Sequence, residues 1–267
     1  MMKVVVFKGG VGNQIFQYYV YKLLEKKGHK VFYKDETMRY MSHYGLELDK
    51  YFDVNIKELP FIHYNFLRVF RRLFPNRYTK ATSTDINFEE SSLLFDGYWH
   101  NKKFGIESSK INFKNKSLLS ISDKNISVLT KIENTESVSL HVRRGDYLKP
   151  NCIEIFGNIC TEEYYKEAIS IIKDRIPNAN FFIFSDDIEW CKNNLNIENA
   201  EYIDWNTEND SIYDMYLMSH CKANIIANST FSYWAAKISN NYNVIYPKKW
   251  FANKPAPDMF PNKWIGL

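Results

Sequence analysis

The sequence predicts an α/β protein made of two Rossmann-like halves with a cleft between them. At the N-terminus, an apolar strand at residues 4–7 leads through a glycine turn into a helical apolar pattern over residues 13–27, and a second strand follows Gly28. From Ser137 onward, strand and helix patterns alternate to the end of the chain. Such alternation is typical of parallel sheets covered by helices.

A chain of 267 residues is long enough for one large domain or two modest ones. Polar breaks at residues 114–116 and 123–125 separate the irregular middle of the sequence from the alternating pattern that follows it. We therefore predict an N-terminal half over residues 1–130 and a C-terminal half over residues 131–267.

The C-terminal half is expected to hold the ligand site, because its polar clusters follow predicted strands. Ligands of open parallel sheets bind beyond the carboxyl ends of the strands. The predicted strands occupy residues 138–142, 181–184, 202–203, 224–227 and, as the final strand, 244–246; a helix capped by Thr161 and helices at 211–220 and 231–238 lie between them.

The composition is that of an ordinary globular protein, with 45% hydrophobic and 25% charged residues and a formal net charge of +4. This mild charge does not indicate nucleic-acid binding. No run of about 20 apolar residues and no cleavable signal pattern is seen, so a cytoplasmic location is expected. The four cysteines show no metal-ligand spacing, which predicts a metal-free protein, although Cys152 and Cys160 could bridge in an oxidising compartment.

The first polar cluster is the glycine turn Gly9-Gly10-Val11-Gly12-Asn13-Gln14. A glycine turn between a strand and a helix lets backbone N–H groups and the helix dipole approach an anion. The segment resembles a phosphate-binding KGGVGKT loop, but Asn13 and Gln14 replace the required lysine and Ser/Thr. A GxGxxG pattern also fails, because a bulky residue stands where a small one is needed. The turn either contributes to a ligand site or serves chain geometry alone.

The second cluster is His141-Val142-Arg143-Arg144-Gly145-Asp146, at the end of a predicted strand. Alternation along the strand places His141 and Arg143 on one side and Arg144 on the other. Two arginines at this position are costly unless they meet anions, and a guanidinium is well shaped to bind phosphate. We expect Asp146 to hold one arginine and leave the other for a ligand. The alternative is a structural Arg–Asp cluster that braces the turn.

The third cluster, Asn228-Ser229-Thr230-Phe231-Ser232, follows the predicted strand at 224–227. Hydroxyls and N–H groups at a helix start can bind an anion, although an ordinary N-cap has the same pattern. Upstream, Asp186 and Asp187 put two carboxylates at another strand end. A carboxylate can select guanine by accepting from its N1–H and amino group, and it can equally cap a helix.

Taken together, these clusters resemble glycosyltransferase family 11, the α-1,2-fucosyltransferases. Residues 141–147 resemble the HxRRxD motif shared by α-1,2-, α-1,6- and O-fucosyltransferases, and residues 9–18 resemble the family's GGxGNQxFQY start. Residues 182–192 and 214–236 also match. The four matches occur in family order, with the weakest coverage over residues 50–130.

The resemblance implies a GT-B fold whose acceptor side lies in the N-terminal half and whose donor site lies in the C-terminal half. It also implies an inverting, metal-independent transfer of L-fucose from GDP-β-L-fucose to a galactoside hydroxyl of a glycan, as in surface polysaccharide synthesis. The implied partners are the donor and a glycan acceptor, and no cofactor is required.

The resemblance further assigns roles to individual residues. Arg143 is expected to bind the diphosphate, with Arg144 and Asp146 supporting it. His141 and either Asp186 or Asp187 would border the guanine or ribose. Further donor contacts would come from Ser229, Thr230, Phe231 and Ser232, with Gly12 and Asn13 closing the donor cleft from the N-terminal half. There are four candidates for the general base that deprotonates the acceptor hydroxyl: Asp35, Glu36, His43 and Asp146.

Three other functions compete with this interpretation. The first is a fucosyltransferase of another linkage or a transferase that uses a different GDP-sugar. The second is a non-catalytic carbohydrate-binding protein, against which the presence of both Arg143 and Asp146 argues. The third, a P-loop ATPase, is excluded by the residues at positions 13 and 14.

Residues 64–80 indicate a further partner. Placed on a helix that Pro75 ends, five apolar residues fall on one face and three arginines lie off its centre. These are Phe66, Leu67, Phe70, Leu73 and Phe74, with Arg68, Arg71 and Arg72. A basic amphipathic helix can rest on an anionic membrane surface, here the inner membrane. The alternative is a core-facing helix whose arginines are solvated.

Overall fold

A computed structural model of the protein describes residues 2–40, 44–80, 92–104, 111–115 and 121–267. The chain forms two compact units. Unit 1 comprises Met1–Lys114 and Pro257–Phe260, and unit 2 comprises Asn115–Ala256 and Pro261–Leu267. The division precedes the predicted boundary at 130/131, because the helix Asp123–Asn134 packs on elements of unit 2.

Unit 1 is built around a four-stranded parallel sheet. Its elements are β1 (Met2–Phe7), α1 (Val11–Lys26), β2 (Lys30–Asp35), α2 (Leu48–Tyr51), α3 (Phe61–Leu73), β3 (Tyr78–Lys80) and β4 (Leu94–Asp96). The strand order is β2-β1-β4-β3. Because β1 is central, the sheet buries its apolar run on both faces, and Val4, Val5 and Phe7 have no exposed surface.

The turn from β1 into α1 requires glycine at its first position. Gly9 has a φ of +75°, and a Cβ atom there would lie 2.7 Å from Asn13 Nδ2. The helix that follows buries Phe16, Val20 and Leu24, which are spaced four residues apart and therefore share one face.

Unit 2 is built around a six-stranded parallel sheet. Its elements are α4 (Asp123–Asn134), β5 (Glu136–Val142), α5 (Ile153–Phe156), α6 (Glu162–Arg175), β6 (Ala179–Ser185), α7 (Ile188–Asn194), β7 (Ala200–Ile203), α8 (Ile212–His220), β8 (Ala223–Ile225), α9 (Thr230–Ser239), β9 (Val244–Tyr246) and β10 (Ile265–Gly266). The strand order is β10-β9-β8-β5-β6-β7. Apolar residues of β5, β6, β8 and α6 form one core, in which Leu140, Ile172, Ile183 and Ile225 are fully buried.

The strand order of unit 2 reverses at β5. The chain adds β6 and β7 on one side of β5 and then crosses back to add β8, β9 and β10 on the other. In an open parallel sheet, the carboxyl ends of the strands at such a reversal border a crevice that binds ligands. Arg143 follows β5 and residues 226–230 follow β8. The second and third polar clusters therefore lie at the reversal.

The predicted α/β class is confirmed, as are the strand and helix alternation of unit 2 and the Thr161 cap of α6. The prediction that residues 244–246 form the final strand is wrong, because β10 pairs with β9 through Ile265 and Ile245. A two-residue strand carries too short a pattern to be detected in the sequence. The strand predicted at 224–227 ends at Ile225.

The part of the chain that the structure describes contains no helix long and apolar enough to cross a membrane. It also contains no group of three or more His, Cys, Asp or Glu side chains that could hold a metal ion. The four cysteines are free. Burial raises the pKa of the Cys160 thiol to about 12, so this thiol stays protonated at neutral pH.

Candidate active site

Arg143 lies directly after β5, where the strand order reverses. Its guanidinium makes two ion pairs: Nη2 lies 2.9 Å from Asp146 Oδ1, and Nη1 lies 3.2 Å from Asp186 Oδ2. The side chain still exposes 35% of its surface. Since a guanidinium carries five N–H donors, Arg143 can be held by two carboxylates and present other donors to an anion.

Arg144 is held by a different carboxylate. Its Nε lies 3.1 Å from Asp187 Oδ2, and its guanidinium carbon lies 4.2 Å from the ring centre of Trp190. The backbone N–H of Arg144 donates to Asp186 Oδ1 at 2.8 Å. These contacts fix Arg144 against α7, and its support of the neighbouring Arg143 stays a prediction.

Asp146 holds one arginine, Arg143, as predicted, and the availability of an arginine for a ligand stays a prediction, but both arginines have carboxylate partners. The reason is the pairing of β5 with β6, which brings residues 143–144 beside residues 186–187 at the same edge of the sheet. Asp187 is also the N-cap of α7, where its Oδ1 accepts from the Trp190 N–H at 3.2 Å. The two acids predicted to border guanine or ribose thus position the arginines.

His141 is the buried member of this cluster. It is 6% exposed, and its ring centre lies 5.9 Å from that of Phe231. Burial, with a smaller contribution from the charge of Arg143, lowers the pKa of His141 to about 3, so the imidazole is neutral at physiological pH. Its Nδ1 is buried and has no hydrogen-bond partner among the described residues. Such a nitrogen can form one hydrogen bond with a ligand.

At the start of α9, two of the four predicted residues stabilise the helix itself. Ser229 is the N-cap, with Oγ accepting from the Phe231 N–H at 3.3 Å, and the buried Ser232 donates to Ser229 O at 3.3 Å. Thr230 and Phe231 are half-buried. An N-cap and an anion site are compatible here, because first-turn N–H groups have no acceptor within a helix.

Hydrogen bonds join the segments that follow β5 and β8. Tyr147 OH donates to Asn228 O at 3.1 Å, and Asn228 Nδ2 donates to Phe156 O at 3.1 Å and to Trp250 O at 3.2 Å. These positioning roles were missed by sequence reasoning, since Tyr147 and Asn228 are 81 residues apart. The arginine cluster and the start of α9 therefore form one site.

In unit 1, the glycine turn is stabilised by Gln14. Its side-chain amide makes four hydrogen bonds of 2.9–3.0 Å, to backbone groups of Gly9, Gly45, Glu47 and Leu48. The amide thus ties the turn to the segment before α2. This explains structurally why glutamine stands where a phosphate-binding loop would have Ser or Thr.

Gly12 and Asn13 lie in the first turn of α1, where Gly12 is buried. Asn13 Oδ1 lies 2.9 Å from His100 Nε2, and the His100 ring packs against Phe16 with 4.7 Å between ring centres. The closing of the donor cleft by Gly12 and Asn13 stays a prediction.

The identity of the general base among the four candidates stays a prediction. Asp35 Oδ1 accepts from the N–H and the hydroxyl of Thr37 at 2.8 and 2.6 Å, and Asp146 pairs with Arg143. Glu36 is half-buried, and His43 lies outside the described residues.

Asp214, at the start of α8, is a titratable group to which the sequence analysis gave no role. Asn206 Nδ2 donates to Asp214 Oδ1 at 2.8 Å and to Asn125 Oδ1 at 3.0 Å, and Trp205 Nε1 donates to the same Asn125 oxygen at 2.8 Å. Burial raises the pKa of Asp214 to about 8, against the opposing effect of the Asn206 hydrogen bond. This network connects α4 to α8.

We expect Asp214→Asn to become more stable relative to the wild type as the pH rises from about 4 to about 8. An acid whose pKa is higher in the folded state makes the folded state bind more protons, so the wild type loses stability over this interval. The asparagine cannot ionise and still accepts from Asn206. Urea unfolding of both proteins at several pH values measures the difference, with exposed Asp210→Asn as control. A difference that is constant with pH would contradict the assignment.

The chain matches known proteins in family and in fold. The family model described as glycosyl transferase family 11 matches residues 74–267. An alpha-1,2-colitosyltransferase of Escherichia coli is 34% identical over 312 residues, covering 100% of this chain and 99% of the relative. The galactoside 2-alpha-L-fucosyltransferase SEC1 of Bos taurus is 27% identical over 139 residues, covering 49% of this chain and 38% of that protein.

Among solved structures, the crystal structure of POFUT1 in complex with GDP is similar to this chain with a TM-score of 0.53. The match has 12% sequence identity and covers 99% of both chains. At this identity, the similarity concerns the fold alone.

Proposed function

Since the chain belongs to glycosyl transferase family 11 and has the fold of GT-B glycosyltransferases, we propose that it transfers L-fucose from GDP-β-L-fucose. The acceptor is a galactoside hydroxyl of a glycan, and transfer with inversion forms an α-1,2 linkage. Unit 2 binds the donor, and the acceptor binds on the side of unit 1.

The observation that carries this proposal is the double ion pairing of Arg143 at the reversal of the strand order. When the sugar leaves GDP, negative charge develops on the β-phosphate. A guanidinium already fixed by Asp146 and Asp186 can stabilise this charge without reorganising, as can N–H groups at the start of α9. These groups provide the charge stabilisation that a metal ion would otherwise provide.

His141 suits the nucleoside end of the donor. Its imidazole is neutral and its buried Nδ1 has no partner among the described residues, so a ligand hydrogen bond would satisfy it. Phe231 lies beside it and offers an aromatic ring to the base or ribose. The carboxylates of Asp186 and Asp187 act on the donor through the arginines that they hold.

A second candidate is transfer of colitose from its GDP-sugar. The relative that aligns over the whole chain at 34% identity is an alpha-1,2-colitosyltransferase. Colitose is the 3-deoxy form of L-fucose, so the two donors differ by a single hydroxyl group. A site that hydrogen-bonds this hydroxyl rejects the deoxy sugar by about 10⁴–10⁵, whereas an apolar contact discriminates by only about 10².

We expect kcat/KM for GDP-β-L-fucose to exceed that for the GDP-colitose donor by at least about 10² with a galactoside acceptor. Steady-state rates with both donors measure the ratio, and NMR of the product gives the anomer and the linkage. The Arg143→Ala protein, prepared in the same way, controls for contaminating transferases. A reversed ratio would establish the second candidate. Donor binding with neither transfer nor hydrolysis would favour a non-catalytic carbohydrate-binding protein.

A further inference from the structure

Helix α3 presents a row of large apolar side chains to solvent. Ile62, Phe66, Val69 and Leu73 are between 58% and 80% exposed, and their spacing of four, three and four residues places them on one face of the helix. Such a contiguous apolar face on a surface helix indicates an interaction site.

The opposite face of α3 fixes the helix to unit 1. Leu67 is 5% exposed and packs in a cluster with Val4, Val6, Leu59 and Leu94. The sequence-based prediction that Leu67 shares one face with Phe66 and Leu73 is therefore wrong. The chain buries Leu67 against the sheet and leaves the other apolar face to solvent.

The exposed row is accompanied by positive charge. Arg68, Arg71 and Arg72 lie on α3, and residues 61–74 contain no Asp or Glu. Three phenylalanines also follow one another along the helix, with 6.4 Å between the ring centres of Phe66 and Phe70 and 4.4 Å between those of Phe70 and Phe74. Apolar and aromatic side chains beside arginines are the composition of helices that lie in the interface of an anionic bilayer.

We propose that α3 is an interfacial membrane helix, whose apolar row inserts at the boundary between headgroups and acyl chains of an anionic bilayer. Arg68 and Arg72, which lie on the same side of the helix, then reach the headgroup phosphates while their methylene stems lie along the apolar layer. A second copy of this chain is a less favourable partner for this face, because pairing two such faces would bring their arginines together and these would repel each other. The inference rests on α3 and does not depend on the proposed donor.

Co-sedimentation with vesicles tests the proposal. We expect the protein to bind vesicles that contain phosphatidylglycerol at low salt, and to bind less at high salt and to phosphatidylcholine alone. Phe66→Ser/Leu73→Ser and Arg68→Gln/Arg72→Gln should each lower the partition coefficient about tenfold or more. Ile126→Ser removes an exposed apolar side chain from α4 and is the matched control, expected to bind as the wild type does. Thermal melting verifies that every variant is folded.

Absence of binding to the phosphatidylglycerol vesicles at low salt would overturn the proposal. So would unchanged binding by either double variant that melts like the wild type. Sedimentation velocity tests a third outcome. A dimer that the Phe66→Ser/Leu73→Ser variant abolishes would show that the apolar row binds a second copy of the chain, and it would likewise overturn the membrane assignment.

Discussion

Replacing Arg143 with alanine is expected to lower kcat/KM for transfer by about 10²–10³, equivalent to roughly 3–4 kcal/mol of transition-state stabilisation. The guanidinium is fixed by Asp146 and Asp186 before any ligand arrives, so its loss removes a preorganised cation where charge develops. Because its side chain is partly exposed, the substitution should leave the fold intact. Steady-state kinetics together with a thermal melt measure both effects.

Two further variants make this test specific. Arg143→Lys keeps the charge but not the bidentate geometry, so partial recovery of activity is expected. Arg175→Ala removes an exposed arginine at the end of α6 and should change neither property. If Arg143→Ala melts normally and keeps more than about a tenth of the wild-type kcat/KM, a loss under roughly 1.4 kcal/mol, the diphosphate role is wrong.

Replacing Asp186 with alanine is expected to lower kcat/KM by about 10²-fold, although its carboxylate acts through Arg143. The Asp186 side chain pairs with the Arg143 guanidinium and accepts from the Arg144 N–H. Its loss therefore removes one contact that fixes the Arg143 side chain and one that fixes the backbone after β5. Misplacement of a catalytic group by about 1 Å can cost this much in rate. The loss should fall mainly on kcat, because the charge that binds the donor is still present.

Asp186→Asn separates the two contacts, since an amide oxygen still accepts from the Arg144 N–H but carries no charge. Its activity should lie between those of the wild type and Asp186→Ala. Glu189→Ala is the matched control on the neighbouring helix α7, where the carboxylate is exposed and pairs with Lys192. Wild-type kinetics in a folded Asp186→Ala protein would show that Asp146 alone positions Arg143.

Much of the fold could be predicted because its signals are local. The apolar run of β5, the Thr161 cap of α6 and the glycine turn before α1 each depend on residues close together in the sequence. Polar residues directly after predicted strands could be assigned to one edge of a sheet for the same reason. The short strand β10 carries no such signal and was missed.

The α/β class, the order of strands and helices in unit 2 and the residue types at the strand ends all follow from local patterns in the sequence. Which carboxylate holds which arginine depends instead on how the strands are arranged in the folded sheet. Arg144 pairs with Asp187 across 43 residues because β6 lies beside β5, and strand order is set by the packing of the whole sheet. Likewise, helical periodicity allowed Leu67 and Phe66 to share a face. Contact with the β1 and β4 core buried Leu67 and left Phe66 in solvent, because the face that a helix buries depends on the surface beneath it.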